Sequence, residues 1–149
     1  MSMSVPIDRK ATEADLPVLL ALEERYMAEL EPQHYEHWKK AEAANLRRLT
    51  DHLPQTHVVE LGEQVVGYCN WGLVRDEPTL LTLYVLQDFR RYGLAARLLE
   101  LAEEQVTRAG FNRCCFAPVS THPARVFLER GGYKLVRDDG ERLHLLKTW

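Results

Sequence analysis

The chain has 149 residues, 46% of them apolar and 28% charged, with a formal net charge of -3. That is enough apolar material for a core without disulfides or metal, and too much for a disordered chain. The negative balance argues against a nucleic-acid surface, which normally needs a basic field, and agrees with a small cationic partner.

The opening MSMSVPIDRK lacks the basic-then-apolar form of a secretory signal, and Val5–Lys10 within it is strand-like. Thr12-Glu13-Ala14-Asp15 has the form of a capping box, followed by Leu16, Leu19, Leu20, Tyr26, Met27 and Leu30 at helical spacing. Pro32 stops that helix. A second helix is predicted from the stripe Tyr35, Trp38, Leu46, Leu49 and Leu53, ending before Pro54.

The period then changes from helical to alternating. Thr56–Leu61 and Val65–Val74 are predicted strands joined in a hairpin at Gly62-Glu63. Arg75-Asp76-Glu77-Pro78 turns the chain into a third strand, Thr79–Val85. A helix is predicted after Gly93, carried by Leu94, Leu98, Leu101, Ala102, Val106 and Ala109 and closed by Gly110. Asn112–Ala117 is strand-like, and Pro123–Arg130 is a short helix that stops at Gly131-Gly132. Tyr133–Arg137 and Arg142–Lys147 flank a last hairpin signal, Asp138-Asp139-Gly140.

The order is therefore β-α-α-β-β-β-α-β-α-β-β. It implies one domain over residues 1–149 with an α/β (α+β) fold: a mixed, mostly antiparallel sheet of about seven strands flanked by four helices. Thr79–Val85 and Asn112–Ala117 should run parallel through a right-handed crossover. No run of about 18 apolar residues suggests a membrane span. Cys69, Cys114 and Cys115 cannot all pair and have no His or Cys at ligand spacing. They read as thiols of a reducing cytoplasm, with no metal site expected.

The stretch Val85–Ala96 leaves a strand, supplies Arg90, Arg91 and Gly93, and enters a helix. A helix start offers free N–H groups and the positive end of a dipole, which suits a phosphate. Its first carboxylate is delayed to Glu100, while Arg90, Arg91 and Arg97 surround the turn, as if a ligand brought the negative charge. Neither a P-loop nor a dinucleotide fingerprint is present.

Arg90-Arg91-Tyr92-Gly93-Leu94-Ala95 resembles the Q/R-x-x-G-x-G/A motif of the GNAT superfamily of acyl-CoA-dependent N-acyltransferases. Val85 and Phe89 resemble that family's V-x-P-x-Y lead-in, with Gln87 in place of Pro. Thr121–Tyr133 resembles its N-x-x-A-x-x-x-Y-x-x-x-G-F segment, and the element order matches from Val5 to Lys147. The resemblance implies transfer of the acetyl group of acetyl-CoA to a primary amine of a small molecule or peptide. A homodimer is one admissible assembly, and neither nucleic acid nor membrane is an expected partner.

By the same resemblance, the backbone of Arg90, Arg91, Tyr92, Gly93, Leu94, Ala95 and Ala96 holds the pyrophosphate. Leu83, Tyr84 and Val85 line the pantetheine arm, with the Val85 N–H on the thioester carbonyl. Thr121, Arg125 and Leu128 belong to the second cofactor segment. There the family Asn falls on Thr121, and its Tyr, the usual proton donor to the departing thiolate, falls on Leu128. That loss favours the alternative of a non-catalytic acyl-CoA-binding regulatory module.

Attack needs a neutral amine, so a base or water chain is expected. Tyr84 is the nearest candidate, although a strand aromatic more commonly packs in a core. His122 titrates in the right range, although an exposed loop histidine is the commoner case. Glu60 is a carboxylate on a strand, where that residue is depleted. Asp76 and Glu77 read as turn acids, and His34, His37 and Trp38 could border the acceptor.

Overall fold

The computed structural model describes residues 5–149. Its elements are β1 (Ile7–Lys10), α1 (Leu16–Leu30), α2 (Tyr35–Lys40), α3 (Glu42–Asp51), β2 (Thr56–Leu61), β3 (Gln64–Val74), β4 (Glu77–Val85), α4 (Leu94–Arg108), β5 (Arg113–Phe116), α5 (Arg125–Arg130), β6 (Lys134–Asp138) and β7 (Leu143–Thr148). The seven strands form one sheet in the order β1-β2-β3-β4-β5-β7-β6. Every pairing is antiparallel except β4 with β5, which is parallel as the crossover requires.

Helix α1 follows the predicted spacing and buries Leu19, Leu22, Glu23 and Tyr26. At its entry the Thr12 N–H donates to Asp15 Oδ2 at 2.8 Å, and Arg9 forks onto both Asp15 oxygens at 2.8 and 2.9 Å. The predicted second helix is two helices, so the sheet carries five rather than four. Ala41 leaves helical geometry at φ -105, ψ 39, and the Asn45 side chain takes the Trp38 carbonyl at 2.7 Å. That bond is a second one on a carbonyl that also accepts the Ala41 N–H at 3.0 Å, and of the predicted stripe Leu49 and Leu53 are buried while Leu46 is exposed. The turn before β4 is also tighter than expected. Arg75 and Asp76 both have positive φ, as in a two-residue hairpin, so Glu77 and Pro78 already belong to the strand.

Strand alternation separates two faces. Tyr68 and the facing Tyr84 point toward α1, where Tyr84 meets Tyr26 edge-on with centroids 5.9 Å apart. Cys69 and Trp71 point toward α4, where Trp71 Nε1 donates to Gln105 Oε1 at 2.8 Å. Helix α4 ends as its sequence signals: the Gly110 N–H reaches Thr107 O and the Phe111 N–H reaches Val106 O. Cys69, Cys114 and Cys115 are free thiols, the first two buried.

The feature that positions the site is the parting of β4 from β5. They pair only at Thr79–Cys115 and Leu80–Phe116. One residue later β4 carries a bulge: Trp71 faces Leu80 and Asn70 faces Thr82, leaving Leu81 as the extra residue. A bulge bends and twists its strand, so β4 turns away while β5 stops at Phe116, two residues short of Pro118. Leu81–Val85 thus have β3 on one side and a gap on the other.

Close packing of β3 against the end of β4 holds that geometry. A Cβ on Gly67 would stand 2.8 Å from the Tyr84 carbonyl oxygen, which is backbone and cannot swing aside. Gly67→Ala should therefore cost about 1–3 kcal/mol, the usual range for overpacking, seen as a lower urea midpoint with an unchanged m-value.

Candidate active site

Leu86 donates its N–H to Val66 O at 2.8 Å, so that amide faces β3. Successive residues of a strand aim their amides to opposite sides, so the Val85 N–H faces the gap. Its carbonyl faces the same way and accepts from Arg90 Nε at 2.8 Å.

Beyond β4 the chain makes one turn and enters α4. Arg91 and Gly93 both have φ 75, a left-handed conformation costly to most residues and free to glycine. The first intrahelical bond runs from the Arg97 N–H to Gly93 O at 3.1 Å. The N–H groups of Leu94, Ala95 and Ala96 therefore have no partner within the helix. No side chain caps them, and the first turn holds no acid. A Cβ on Gly93 would meet nothing within 4 Å, so open space lies against this turn. These are the properties of an anion seat.

The arginines contribute less than the sequence suggests. Arg90 is held by Glu29 through two bonds of 2.8 and 2.9 Å. Arg97 is held by Asp8 at 2.9 Å and Glu100 at 3.2 Å. Only Arg91 among these three has no ion-pair partner among the described residues. The uncapped backbone, rather than an arginine cluster, is what suits this turn to an anion.

Against the end of β4, and closed on the far side by the His122–Phe127 segment, lies a largely apolar cleft of about 370 Å³. Of the expected site residues, Leu83, Tyr84, Val85, Arg90, Ala95 and His122 line it, joined by Leu30, Pro123, Ala124 and Phe127. Arg91, Tyr92, Gly93, Leu94 and Ala96 form the turn at its end. A second hollow of about 230 Å³ opens beside Thr79–Leu81 and is lined by Tyr26, Glu31, Phe116 and Arg142 among others. The His122 ring connects the two: it lines the first cleft and packs on Tyr26 and Phe116, with centroids 5.9 and 6.3 Å away.

Several expectations need correction. Glu60 is not in the cleft; it accepts from Arg9 at 2.6 Å in the β1–β2 pairing, next to Asp15. Its place on a strand reflects that ion pair. His122 is buried rather than an exposed loop histidine, because the rings of Tyr26 and Phe116 enclose it. Leu128 is fully buried in the core and does not line the cleft, where the neighbouring Phe127 does. Thr121 is exposed, and Arg125 is exposed and paired with Glu129 at 2.7 Å. Neither lines the cleft. Glu77 pairs with Arg113, His34 with Glu141 at 3.1 Å, and Trp38 stacks on Tyr35, while His37 is exposed; all lie outside the cleft lining.

Tyr84 is both core and cleft wall. Its hydroxyl donates to Glu29 Oε1 at 2.8 Å, and the Arg90 guanidinium lies 5.4 Å from its ring centroid. Burial and the Glu29 carboxylate push its pKa up to about 12. Glu29 is held below its ordinary value, chiefly by Arg90. Burial lowers His122, keeping the ring neutral. Glu29 had no sequence signal, because its partners lie 55 and 61 residues away.

Residues 19–133 match the sequence model of the acetyltransferase (GNAT) family, and the chain belongs to that family: it is an acetyltransferase. No curated protein matches it. Among solved structures it is similar to PaiA N-acetyltransferase from Thermoplasma acidophilum, determined with coenzyme A. The two are 17% identical over 97% of this chain and 99% of that one, with a TM-score of 0.83. It is also similar to a GCN5-related N-acetyltransferase from Rhodopseudomonas palustris, 22% identical over 100% and 99% of the two chains, TM-score 0.74. Ribosomal-protein-alanine N-acetyltransferase from Brucella melitensis is 22% identical over 96% and 99%, TM-score 0.69. These likenesses establish the fold.

Two substitutions test the geometry. Gly93→Asn keeps a residue that tolerates the left-handed region while placing a side chain in the open space. It should leave the melting temperature nearly unchanged and weaken coenzyme A binding about tenfold or more, some 1.4 kcal/mol by calorimetry. Leu128→Tyr should cost about 1–3 kcal/mol of stability through overpacking, without altering the pH profile of turnover.

Proposed function

We propose that residues 1–149 act as one domain that moves the acetyl group of acetyl-CoA directly to a primary amine of a small molecule or peptide. The observation that carries this reading is one cleft with two kinds of free N–H at its ends. The uncapped turn of α4 stands at one end and the gap-facing Val85 N–H at the other. The cleft between them is apolar enough to take a thioester arm.

The donor supplies an acetyl group activated as a thioester. The first turn of α4 holds its pyrophosphate, where three amides and the helix dipole favour negative charge. Leu83 and Val85 offer the open backbone edge of β4 to an arm that carries amides of its own. The Val85 N–H donates to the acyl oxygen and stabilises the charge that develops there. The acceptor reaches the acyl carbon from the hollow beside Thr79–Leu81, across the parting of the strands.

The non-catalytic alternative rested on Leu128. That residue packs in the core, so the missing hydroxyl says nothing about proton transfer in the cleft. Three free thiols support a reducing compartment, the cytoplasm, as the place of action.

Saturating acetyl-CoA should raise the melting temperature by several degrees, since a ligand at 100 times its Kd adds about 2.7 kcal/mol. Thiol release should match acetylated amine mole for mole. An unchanged melting temperature defeats the donor assignment, and binding without product from any amine defeats transfer. Arg90→Ala should weaken coenzyme A and dephospho-coenzyme A equally, because its guanidinium is held on Glu29 and Val85 rather than free for the ribose phosphate.

A further inference from the structure

Resting on that transfer reading, we infer that the acceptor is an α-amino group, as on a peptide N-terminus or an amino acid, rather than a lysine-type amine or a polyamine. The inference comes from how each basic group at the site is held: both carboxylates, Glu29 and Glu31, are bound to a guanidinium, so taking a proton would cost a charge-assisted bond.

The reaction forms a C–N bond and breaks a C–S bond, with the electron pair leaving on sulfur. If the amine arrives neutral, its surplus proton ends on the departing thiolate, directly or through solvent, and the balance closes without a base. If it arrives as an ammonium, one further proton must first go to the protein or to water. A lysine-type amine has a pKa of about 10.4 and an α-amine about 7.7–8.0. Only the second is appreciably neutral near pH 7 unaided.

The titratable groups facing the two hollows are already engaged. From α1 and its end, the Tyr26 hydroxyl donates to Glu31 Oε2 at 2.8 Å, and the second Glu31 oxygen accepts from Arg142 at 3.1 Å. Arg90 occupies both oxygens of Glu29, and Tyr84 adds its hydroxyl to one of them. From the segment before α5, His122 Nδ1 accepts the Ala124 N–H at 3.1 Å. An imidazole nitrogen that accepts carries no proton, so the neutral ring holds its proton on Nε2. That Nε2 is buried without a partner. It is a donor and cannot take a proton from the amine. The charged groups around this ring are Glu29, Glu31 and Arg90, and the Glu141–His34 pair lies outside the lining.

The test measures initial rates from pH 6 to 10 at saturating acetyl-CoA. Its acceptors are aminoacyl amides with α-amines of graded pKa, beside an Nα-acetylated lysine amide. The plot of log kcat/KM should rise with unit slope and level at each amine's own pKa, so that the break moves with the acceptor. At pH 7 the α-amines should lead the ε-amine by roughly 200- to 400-fold, the ratio of neutral fractions. A break at one pH for every amine, with the ε-amine as fast as the α-amines, overturns the inference and leaves transfer standing. Product from no amine overturns both.

A second readout needs no turnover. Nitrogen NMR of the His122 ring in the free protein should show one neutral tautomer, protonated on Nε2, unchanged from pH 7 to 8.5. An Nδ1-protonated ring, or titration within that window, overturns the inference.

Discussion

One departure from regular pairing organises this molecule: the extra residue at Leu81, which bends β4 off β5 after only two paired positions. A continuous sheet would have matched each of the Leu81–Val85 backbone groups facing β5 with a partner and left nothing for a ligand. Because β5 ends near Pro118, no nearby strand can close the opening. The helix start follows β4 directly, so the gap-facing Val85 N–H and the uncapped turn of α4 come from one short stretch of chain. Helix α4 packs across β2, β3, β4 and β5 and so bridges the parting, while α1 packs on β3 from the opposite face.

The electrostatics serve positioning more than attraction. Arg90 joins three groups: the Val85 carbonyl, the Glu29 carboxylate and the face of Tyr84. Its bidentate geometry restricts the end of β4 more than a lone charge would. Glu29 in turn fixes the Tyr84 hydroxyl, so helix α1 becomes part of the cleft wall. In the proposed reading phosphate binding falls to backbone amides, whose direction the fold determines and which need no flexible side chain to be ordered.

Much of this was legible in the sequence, for physical reasons that differ by element. Strands β2, β3 and β4, helix α4 and its Gly110 stop follow from local periodicity and turn chemistry, which depend on near neighbours. The uncapped turn before α4 was legible because the absence of an acid at a helix start is a local anomaly. What escaped was set by contacts across the chain. The break at Ala41 depends on Asn45 reaching the Trp38 carbonyl, and Ala41 itself carries no warning. Glu60 looked available for chemistry because Arg9 lies 51 residues away. Leu128 and Phe127 are adjacent, and which of them faces the cleft depends on how α5 is rolled against the sheet. His122 read as a loop residue because nothing local announces that Tyr26 and Phe116 enclose it.

The opening also has a cost that most sheets avoid. An unpaired stretch of strand inside a sheet is an edge, and edges accept other strands, including those of neighbouring molecules. Here the Arg90 side chain already occupies the outward carbonyl of Val85, and the opposing lip is four residues of β5 that end short of Pro118. A full polypeptide strand would find its bonding pattern interrupted and too little opposing edge to span the gap. A thin arm with few amides asks for less. The opening is thus a poor template for a foreign strand, and the same Arg90 contact that shapes the cleft is part of the reason.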